Sequence, residues 1–560
     1  MPQQIKKEEV VRFAALGGLE EIGRNMMFFE YKNEIIIVDV GLQFPEEETP
    51  GIDYIIPNTA CLEAKKERIK AILLTHAHLD HIGAVPYLIQ KLGNPPIYAT
   101  RLTKELVTKR QEDFLNAPKL NIREVKDHDR IKLSQYFEVE IFSLTHSIPD
   151  NAGLLIKTPV GNLVHFSDFK FDYDEKDQPL HLNEIKKIGN QKIHALFLDS
   201  TNAEVPGRSL SERIVEKNLE ELFKKAEGRL VIALFSSLLT RIAEILKIAE
   251  RLNKKVAVSG RSMKENIEIS RRLGYIKVKK ETIIPLEEIN KYKDSKLMIL
   301  STGAQGEPNA SLVRIVSGEH RHIRVKPGDT FIFSSSTIPG NERSVQILKD
   351  NLSRQGAIVY HSKIVDIHSS GHAPQEELKK TIELIKPRFF IPIHGYFFMR
   401  SQNSQNALEA GVKRENIFLL DNGEVVNITK NSIIPTKETV PASYVMVDGL
   451  GVGDVGEVVL RDRRLLAQEG MIVVIATINR RTSRLVKNPD IISRGFIYLK
   501  ENQRVLEEIR VKIKGILSRI PHNQPYDPDY LKSLFRDQIG QFVYNKTNRR
   551  PMILPVIIEV

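Results

Sequence analysis

The stretch Ile69-Lys70-Ala71-Ile72-Leu73-Leu74-Thr75-His76-Ala77-His78-Leu79-Asp80-His81 decides how this chain is read. Its first seven residues are mostly apolar and β-prone, so they predict a buried strand. A helix start follows at Ile82-Gly83-Ala84-Val85-Pro86-Tyr87-Leu88-Ile89. Between strand and helix, three imidazoles and one carboxylate share a turn. Imidazole suits zinc or manganese, and a carboxylate adds charge and basicity. Positions 76, 78, 80 and 81 cannot share one helix face, which needs steps of three or four. A turn can aim neighbouring ligands at two different ions. A lone His-x-His is more often a polar surface loop; the full H-x-H-x-D-H behind a strand is a metal motif.

Composition sets the outer limits. With 560 residues the chain can build several domains. Its 41% hydrophobic and 27% charged residues describe an ordinary globular protein. No run of about 18 apolar residues suggests a membrane span. Met1 to Val10 is polar and charged, unlike a signal peptide. Cys61 is the one cysteine, which precludes an intrachain disulfide and fits a reducing, cytoplasmic setting. A net charge of +11 favours a polyanionic partner without identifying one.

Along the chain, Phe28 to Tyr31 and Ile35 to Val40 predict strands joined by a turn at Lys32-Asn33-Glu34. Asp39 closes the second strand, and reads equally as support for a ligand or as a satisfied turn residue. The glycines from Gly17 to Gly23 lack G-x-G-x-x-G spacing, so no dinucleotide site is expected. Strands are also predicted at 96–100, 137–142, 154–157, 163–166 and 195–199, with a helix over 103–114. His146, Asp168 and Asp199 each fall at or just past a strand end, where geometry is held well. From Ser211, a predicted N-cap, helix and strand alternate through residue 273, which implies a parallel sheet with helical crossovers. Asp448 to Gly456 is glycine-rich and reads as a connection. Beyond it, strands at 471–478, 496–499 and 552–559 with helices at 503–519 and 527–546 predict a small α/β domain.

H-x-H-x-D-H is the signature of metallo-β-lactamase fold hydrolases. Further segments resemble their β-CASP branch, and most closely the ribonuclease J family. They are Ala15-Leu16-Gly17-Gly18-Leu19-Glu20-Glu21-Ile22-Gly23, Thr145-His146-Ser147-Ile148-Pro149-Asp150, Gly161 to Asp172, His368-Ser369-Ser370-Gly371-His372 and Pro392-Ile393-His394-Gly395. The resemblance covers nearly the whole chain. It implies an α/β architecture: an αββα metallo-β-lactamase sandwich over 1–210 and 372–447, interrupted by an α/β β-CASP domain over 211–371. A linker at 448–460 and a C-terminal α/β assembly domain at 461–560 would complete it.

The same resemblance implies two divalent metal ions, zinc first, with manganese or magnesium compatible. His76, His78 and His146 would hold one ion. Asp80, His81 and His394 would hold the other, with Asp168 bridging. Asp80, Asp199 and His372 would serve catalysis. The loop His368, Ser369, Ser370, Gly371 and His372, with Ser237, Leu238 and Leu239, would hold the terminal nucleotide and its phosphate. Leu238 and Leu239 follow Ser237 where close relatives carry Asn, so a polar contact is expected to be missing there. A His at 394 matches RNA-processing members, whereas DNA-processing members usually carry Val. The expected activity is 5′-to-3′ exonucleolytic and internal cleavage of single-stranded RNA, preferably 5′-monophosphorylated, in RNA maturation and decay. The expected assembly is a homodimer or homotetramer without a membrane role. Some basic residues among Arg261, Lys264, Arg271, Arg272 and Lys277 to Lys280 would line an RNA channel. The competing readings are another hydrolase of the fold, such as a DNA nuclease, and an RNA-binding partner subunit. All seven ligand positions are intact, which favours an enzyme.

Overall fold

The structure is a computed structural model that describes residues 9–45, 49–338, 340–449, 451–482, 484–496, 503–519 and 527–560. The chain divides into two compact units, Met1–Phe44 with Ile55–Val445, and Pro45–Tyr54 with Met446–Val560.

In the first unit, alternating apolar strands build two sheets whose inner faces form one core. The eight-stranded sheet runs Ile433–Thr439, Glu424–Ile428, Val11–Gly17, Met26–Tyr31, Glu34–Val38, Ile69–Leu74, Ile97–Thr100, Ile122–Val125. The six-stranded sheet runs Phe389–Ile393, Ile193–Asp199, Gly161–Phe166, Ala152–Thr158, Glu138–Ser143, Arg130–Lys132. Phe13 and Phe29 from the first meet Phe197 from the second at ring-centroid distances of 4.7 and 5.3 Å. Burying such a ring contributes roughly 1.5–3 kcal/mol. Helices cover the outer face of the six-stranded sheet, where Ile185, Ile188, Leu378 and Ile382 pack on Phe166 and Leu196. This is the expected αββα sandwich.

Strand direction then fixes the functional rim. Ile69–Leu74 is parallel to Glu34–Val38, and Gly161–Phe166 is parallel to Ile193–Asp199 and Phe389–Ile393. Their C-terminal ends deliver Asp39, His76, Asp168, Asp199 and His394. Asp39 and His394 both have left-handed backbones, φ 61° and 50°. Such conformations cluster where the surroundings hold a functional side chain in place.

The insertion is a six-stranded, wholly parallel sheet in the order Ile283–Ile284, Lys255–Ser259, Leu297–Ser301, Leu230–Ala233, Thr330–Phe333, Ile358–His361. Its first helix, Glu212–Lys225, is capped by Ser211, whose hydroxyl accepts from the Arg213 amide at 3.3 Å.

In the second unit, Asp490–Arg494, Met471–Ile478 and Met552–Glu559 form a sheet packed on helices Gln503–Leu517 and Pro528–Thr547. Two expectations are corrected here. The glycine-rich stretch is not a loose connection: Val447 and Asp448 pair with Val452 and Gly451. A helix, Glu457–Glu469, then starts inside the expected linker 448–460, with Leu460 buried at 3% exposure. The expected strand at Phe496 to Leu499 lies mostly outside the described residues. No helix among the described residues is long and apolar enough to cross a membrane.

Candidate metal centre

The turn after Ile69–Leu74 brings His76 Nε2 to 3.1 Å from His78 Nδ1, which lies 3.1 Å from His146 Nε2. Asp168 Oδ2 stands 3.7 and 3.8 Å from the His76 and His146 nitrogens. A tetrahedral ion with arms of about 2.0–2.1 Å has ligand–ligand edges of about 3.3 Å. Three nitrogens and one oxygen therefore already outline a coordination shell. The second group is equally close. His81 Nε2 is 3.2 Å from Asp80 Oδ2 and 3.3 Å from Asp168 Oδ2, and His394 Nε2 is 3.6 Å from Asp80 Oδ2. Asp168 Oδ2 belongs to both groups.

The hydrogen bonds behind the ligands select the tautomers. His81 Nδ1 donates to Asp39 Oδ2 at 2.8 Å, and His146 Nδ1 donates to the Gly371 carbonyl at 2.7 Å. Each bond leaves Nε2 as the free lone pair. His76 Nδ1 is met by the Thr75 and Ser167 hydroxyls at 3.1 and 3.3 Å. His394 Nε2 is buried without a hydrogen-bond partner and faces the second group. An orphaned imidazole nitrogen 3.6 Å from the Asp80 carboxylate is what a divalent cation would satisfy, so the donor set fits such ions.

Electrostatics separate the two groups. Burial holds His76 and His146 well below the ordinary imidazole range, reinforced by neighbouring imidazoles, and holds His78 at about 4. These rings are neutral and their lone pairs are available. Burial also opposes charge on His81 and His394, but Asp168 with Asp80 and Asp199 outweighs it and pushes both upward. Asp80 and Asp168 are held below the carboxylate range, because His81 and His394 outweigh the burial of their charges.

Beside the donors, His372 Nδ1 lies 2.8 Å from Asp199 Oδ2, and its Nε2 lies 3.9 Å from Asp168 Oδ2. Burial disfavours the imidazolium, but Asp199 and Asp168 prevail and raise His372 to about 9. Asp199 Oδ1 in turn accepts from the Thr201 amide and hydroxyl at 2.9 and 2.8 Å.

The loop from His368 to His372 is less open than the sequence suggests. Ser369 is buried, donating to the Leu210 carbonyl at 2.6 Å and accepting from Lys170 Nζ at 2.8 Å. His368 is held neutral, near 3, by burial and by Arg241. Ser370 Oγ accepts from Asn202 Nδ2 at 2.9 Å, and Asn202 also donates to the His372 carbonyl at 2.8 Å. Ser237 is half-buried. Leu238 and Leu239 are corrected as substrate contacts: at 6% and 1% exposure their side chains pack into the core at the start of Leu239–Arg251. Arg261 pairs with Glu265 and Arg272 with Glu105, so those cations are partly neutralised.

Sequence reading missed what holds this loop. Glu212 takes Lys170 at 2.7 Å and Arg241 at 2.7 Å, and Arg241 also reaches the Ser334 hydroxyl at 3.0 Å. A signal was present: Arg241 falls on the buried stripe with Leu238, Ile245 and Ile248. A charge on an apolar stripe needs a partner.

Comparison with known proteins now bears on this geometry. Residues 227–352 match the model described as Ribonuclease J, beta-CASP domain, and 458–560 match the Ribonuclease J C-terminal domain. Residues 50–187 match a Beta-lactamase superfamily domain, and 358–411 match a Zn-dependent metallo-hydrolase RNA specificity domain. Ribonuclease J2 of Bacillus subtilis is 38% identical over 99% of this chain and 100% of its own length. The chain belongs to the ribonuclease J family. Ribonuclease J 1 of Streptococcus pyogenes is also 38% identical, over 99% of this chain and 98% of its own. A crystal structure of a protein of unknown function from Enterococcus faecalis V583 shares the fold, with TM-score 0.55 and 18% identity over 75% of this chain and 100% of that one. As a family member the chain is a metal-dependent, RNA-processing ribonuclease that binds RNA.

Proposed function

We propose that this ribonuclease cleaves single-stranded RNA both from its 5′ end and internally, using two divalent ions, zinc first among them. The observation that carries this reading is the pair of donor groups sharing Asp168. His76, His78 and His146 would hold one ion, and Asp80, His81 and His394 the other, with Asp168 common to both. Two such ions would supply positive charge for the phosphate oxygens and make a water molecule acidic enough to react near neutral pH.

The chain's own residues would do the rest. Asp39 and the Gly371 carbonyl fix which nitrogen His81 and His146 present. Asp199 favours the protonated form of His372 through Nδ1, with Nε2 3.9 Å from Asp168 Oδ2, where it would meet the reacting phosphate. The Nε2 proton would pass to the departing 3′ oxygen. The loop around Ser370 would receive a 5′-monophosphate and set the first scissile bond. The role in RNA maturation and decay, the cytoplasmic setting and a homodimer or homotetramer belong to the same reading.

The test is cleavage of labelled 5′-monophosphate RNA and matched DNA by the intact protein and by His78→Ala. RNA cleavage, no DNA cleavage and an inactive variant that still binds RNA are expected. Near wild-type cleavage by His78→Ala in metal-depleted buffer would overturn the two-ion reading.

A further inference from the structure

Among the described residues, three phenylalanines stand open to solvent: Phe44, Phe397 and Phe398. Two of them are consecutive, and they come three and four residues after His394. Phe397 is 54% and Phe398 51% exposed. Neither packs like the rings of the core, and adjacent exposed rings keep an apolar patch in water. Such a patch signals a binding surface more than a fold requirement.

The patch is rigidly mounted. Helix Phe397–Glu409 is anchored by its buried residues Arg400, Asn403, Asn406 and Ala407. Arg400 Nε donates to the Gly395 carbonyl at 3.1 Å and Nη2 reaches Asp421 at 3.1 Å. Its guanidinium lies 5.7 Å from the Phe397 ring centroid, so that ring has a cation beneath it. Asn403 Nδ2 donates to the Asp199 carbonyl and the Ser200 hydroxyl, each at 3.0 Å, tying the helix to the rim that carries the metal donors. Tyr396 and Phe398 hold their rings nearly parallel, 5° apart with centroids at 6.1 Å. Backbone length alone keeps Phe397 within about 11 Å of His394.

We propose that Tyr396, Phe397 and Phe398 form a base-stacking subsite for single-stranded RNA beside the metal centre. The proposal rests on the ribonuclease reading of that centre. A polynucleotide crossing the donors presents flat π faces on the nucleotides flanking the scissile phosphate. Aromatic rings fixed at this rim can receive them whatever the base, as a degradative enzyme needs. Phosphate attraction by the +11 chain supplies the sequence-independent remainder. The subsite sits after His394, on a different segment from the loop at Ser370, so it grips bases and not the terminal phosphate.

The chain contains no tryptophan, which makes the test direct. Phe398→Trp and Phe397→Trp each place the sole indole in the patch while keeping a stacking ring. Oligoadenylate is expected to quench that fluorescence, and an oligomer abasic near its cleavage site to quench it much less. In parallel, Phe397→Ser with Phe398→Ser should lower kcat/KM on oligoadenylate about tenfold. Cleavage of the abasic oligomer should hardly change. An adenine-to-abasic ratio equal in wild type and double variant, with no quenching, overturns the subsite. So does a fall in sedimenting mass with that ratio unchanged, which would make the patch a contact between copies. A wild-type protein whose tryptophan variants quench with RNA, yet which cleaves none, keeps the subsite and loses the nuclease reading.

Discussion

His146 Nδ1 donates to the Gly371 carbonyl at 2.7 Å, across 225 residues of sequence. The loop from His368 to His372 therefore orients a candidate metal donor. A Cβ at Gly371 would lie 2.5 Å from His146 Cε1 and 2.8 Å from Nδ1. Gly371→Ala must push the imidazole aside. Metal affinity is expected to fall about 10–100-fold, with end-dependent and internal cleavage falling together. Chelator competition measures the first and a circular RNA the second. Unchanged metal affinity would separate the loop from the centre.

Asp39→Asn tests the tautomer argument at His81. The left-handed backbone at 39 tolerates Asn, so the fold should persist. The amide lacks the carboxylate charge that fixes Nδ1–H on His81. Metal affinity should drop about 10–100-fold, and excess metal should restore cleavage. An affinity equal to wild type would leave Asp39 as a turn residue only.

How much of this was legible follows from what kind of signal each feature leaves. The strand-and-turn order around His76 is local, so period and motif reveal it, and the resemblance pointed to His146, Asp168 and His394. Asp39 was ambiguous because its partner His81 is 42 residues away and only the fold brings them together. Leu238 and Leu239 were misassigned because the motif's position was read without the helix that turns them inward. Phe397 and Phe398 were passed over because exposed rings follow no apolar period. The inclusion of Pro45–Tyr54 in the second unit leaves no local mark at all.

Glu212→Gln should destabilise the first unit, because Lys170 and Arg241 stay charged and buried without their carboxylate. Breaking such a buried pairing costs about 3–5 kcal/mol. Burial opposes the Glu212 charge, but Arg241 and Lys170 outweigh it and hold its pKa below the ordinary 4.5. Its stabilisation is therefore complete above that value and is lost as pH falls through the lower, folded value. The thermal midpoints of wild type and variant should differ widely at pH 7 and converge in acid. A gap that widens on acidification would contradict the assignment.

The sheet of the second unit leaves Leu554, Val556 and Ile558 at 39–45% exposure on one face, with Ile492 at 39% on the same face across Val473. If this face joins copies of the chain, Val556→Asp should shift the sedimenting mass toward the monomer while leaving helical content intact. A mass identical to wild type would place assembly elsewhere.

If the loop at Ser370 receives the RNA end, polarity should depend on Ser370 and Asn202. Asn202 spans the Ser370 hydroxyl and the His372 carbonyl, so it sets the shape of the loop facing the centre. An enzyme that frees one nucleotide per cycle must hold the RNA end at a fixed distance from the donors. A monophosphate offers several oxygens for short, charge-assisted hydrogen bonds. A triphosphate is bulkier and would displace the scissile bond, and a misplacement of ~1 Å can cost about a hundredfold in rate. A 5′-hydroxyl would leave the loop's donors unpaired. Internal cleavage needs no end. Mononucleotide release should therefore be fastest from monophosphate RNA, and Ser370→Ala or Asn202→Ala should slow it several-fold more than cleavage of a circular RNA. Time-resolved digestion of one RNA carrying each 5′ end, beside its circular form, reads all of these. Equal release from the three linear forms would remove the loop's role in end recognition while leaving the metal centre standing.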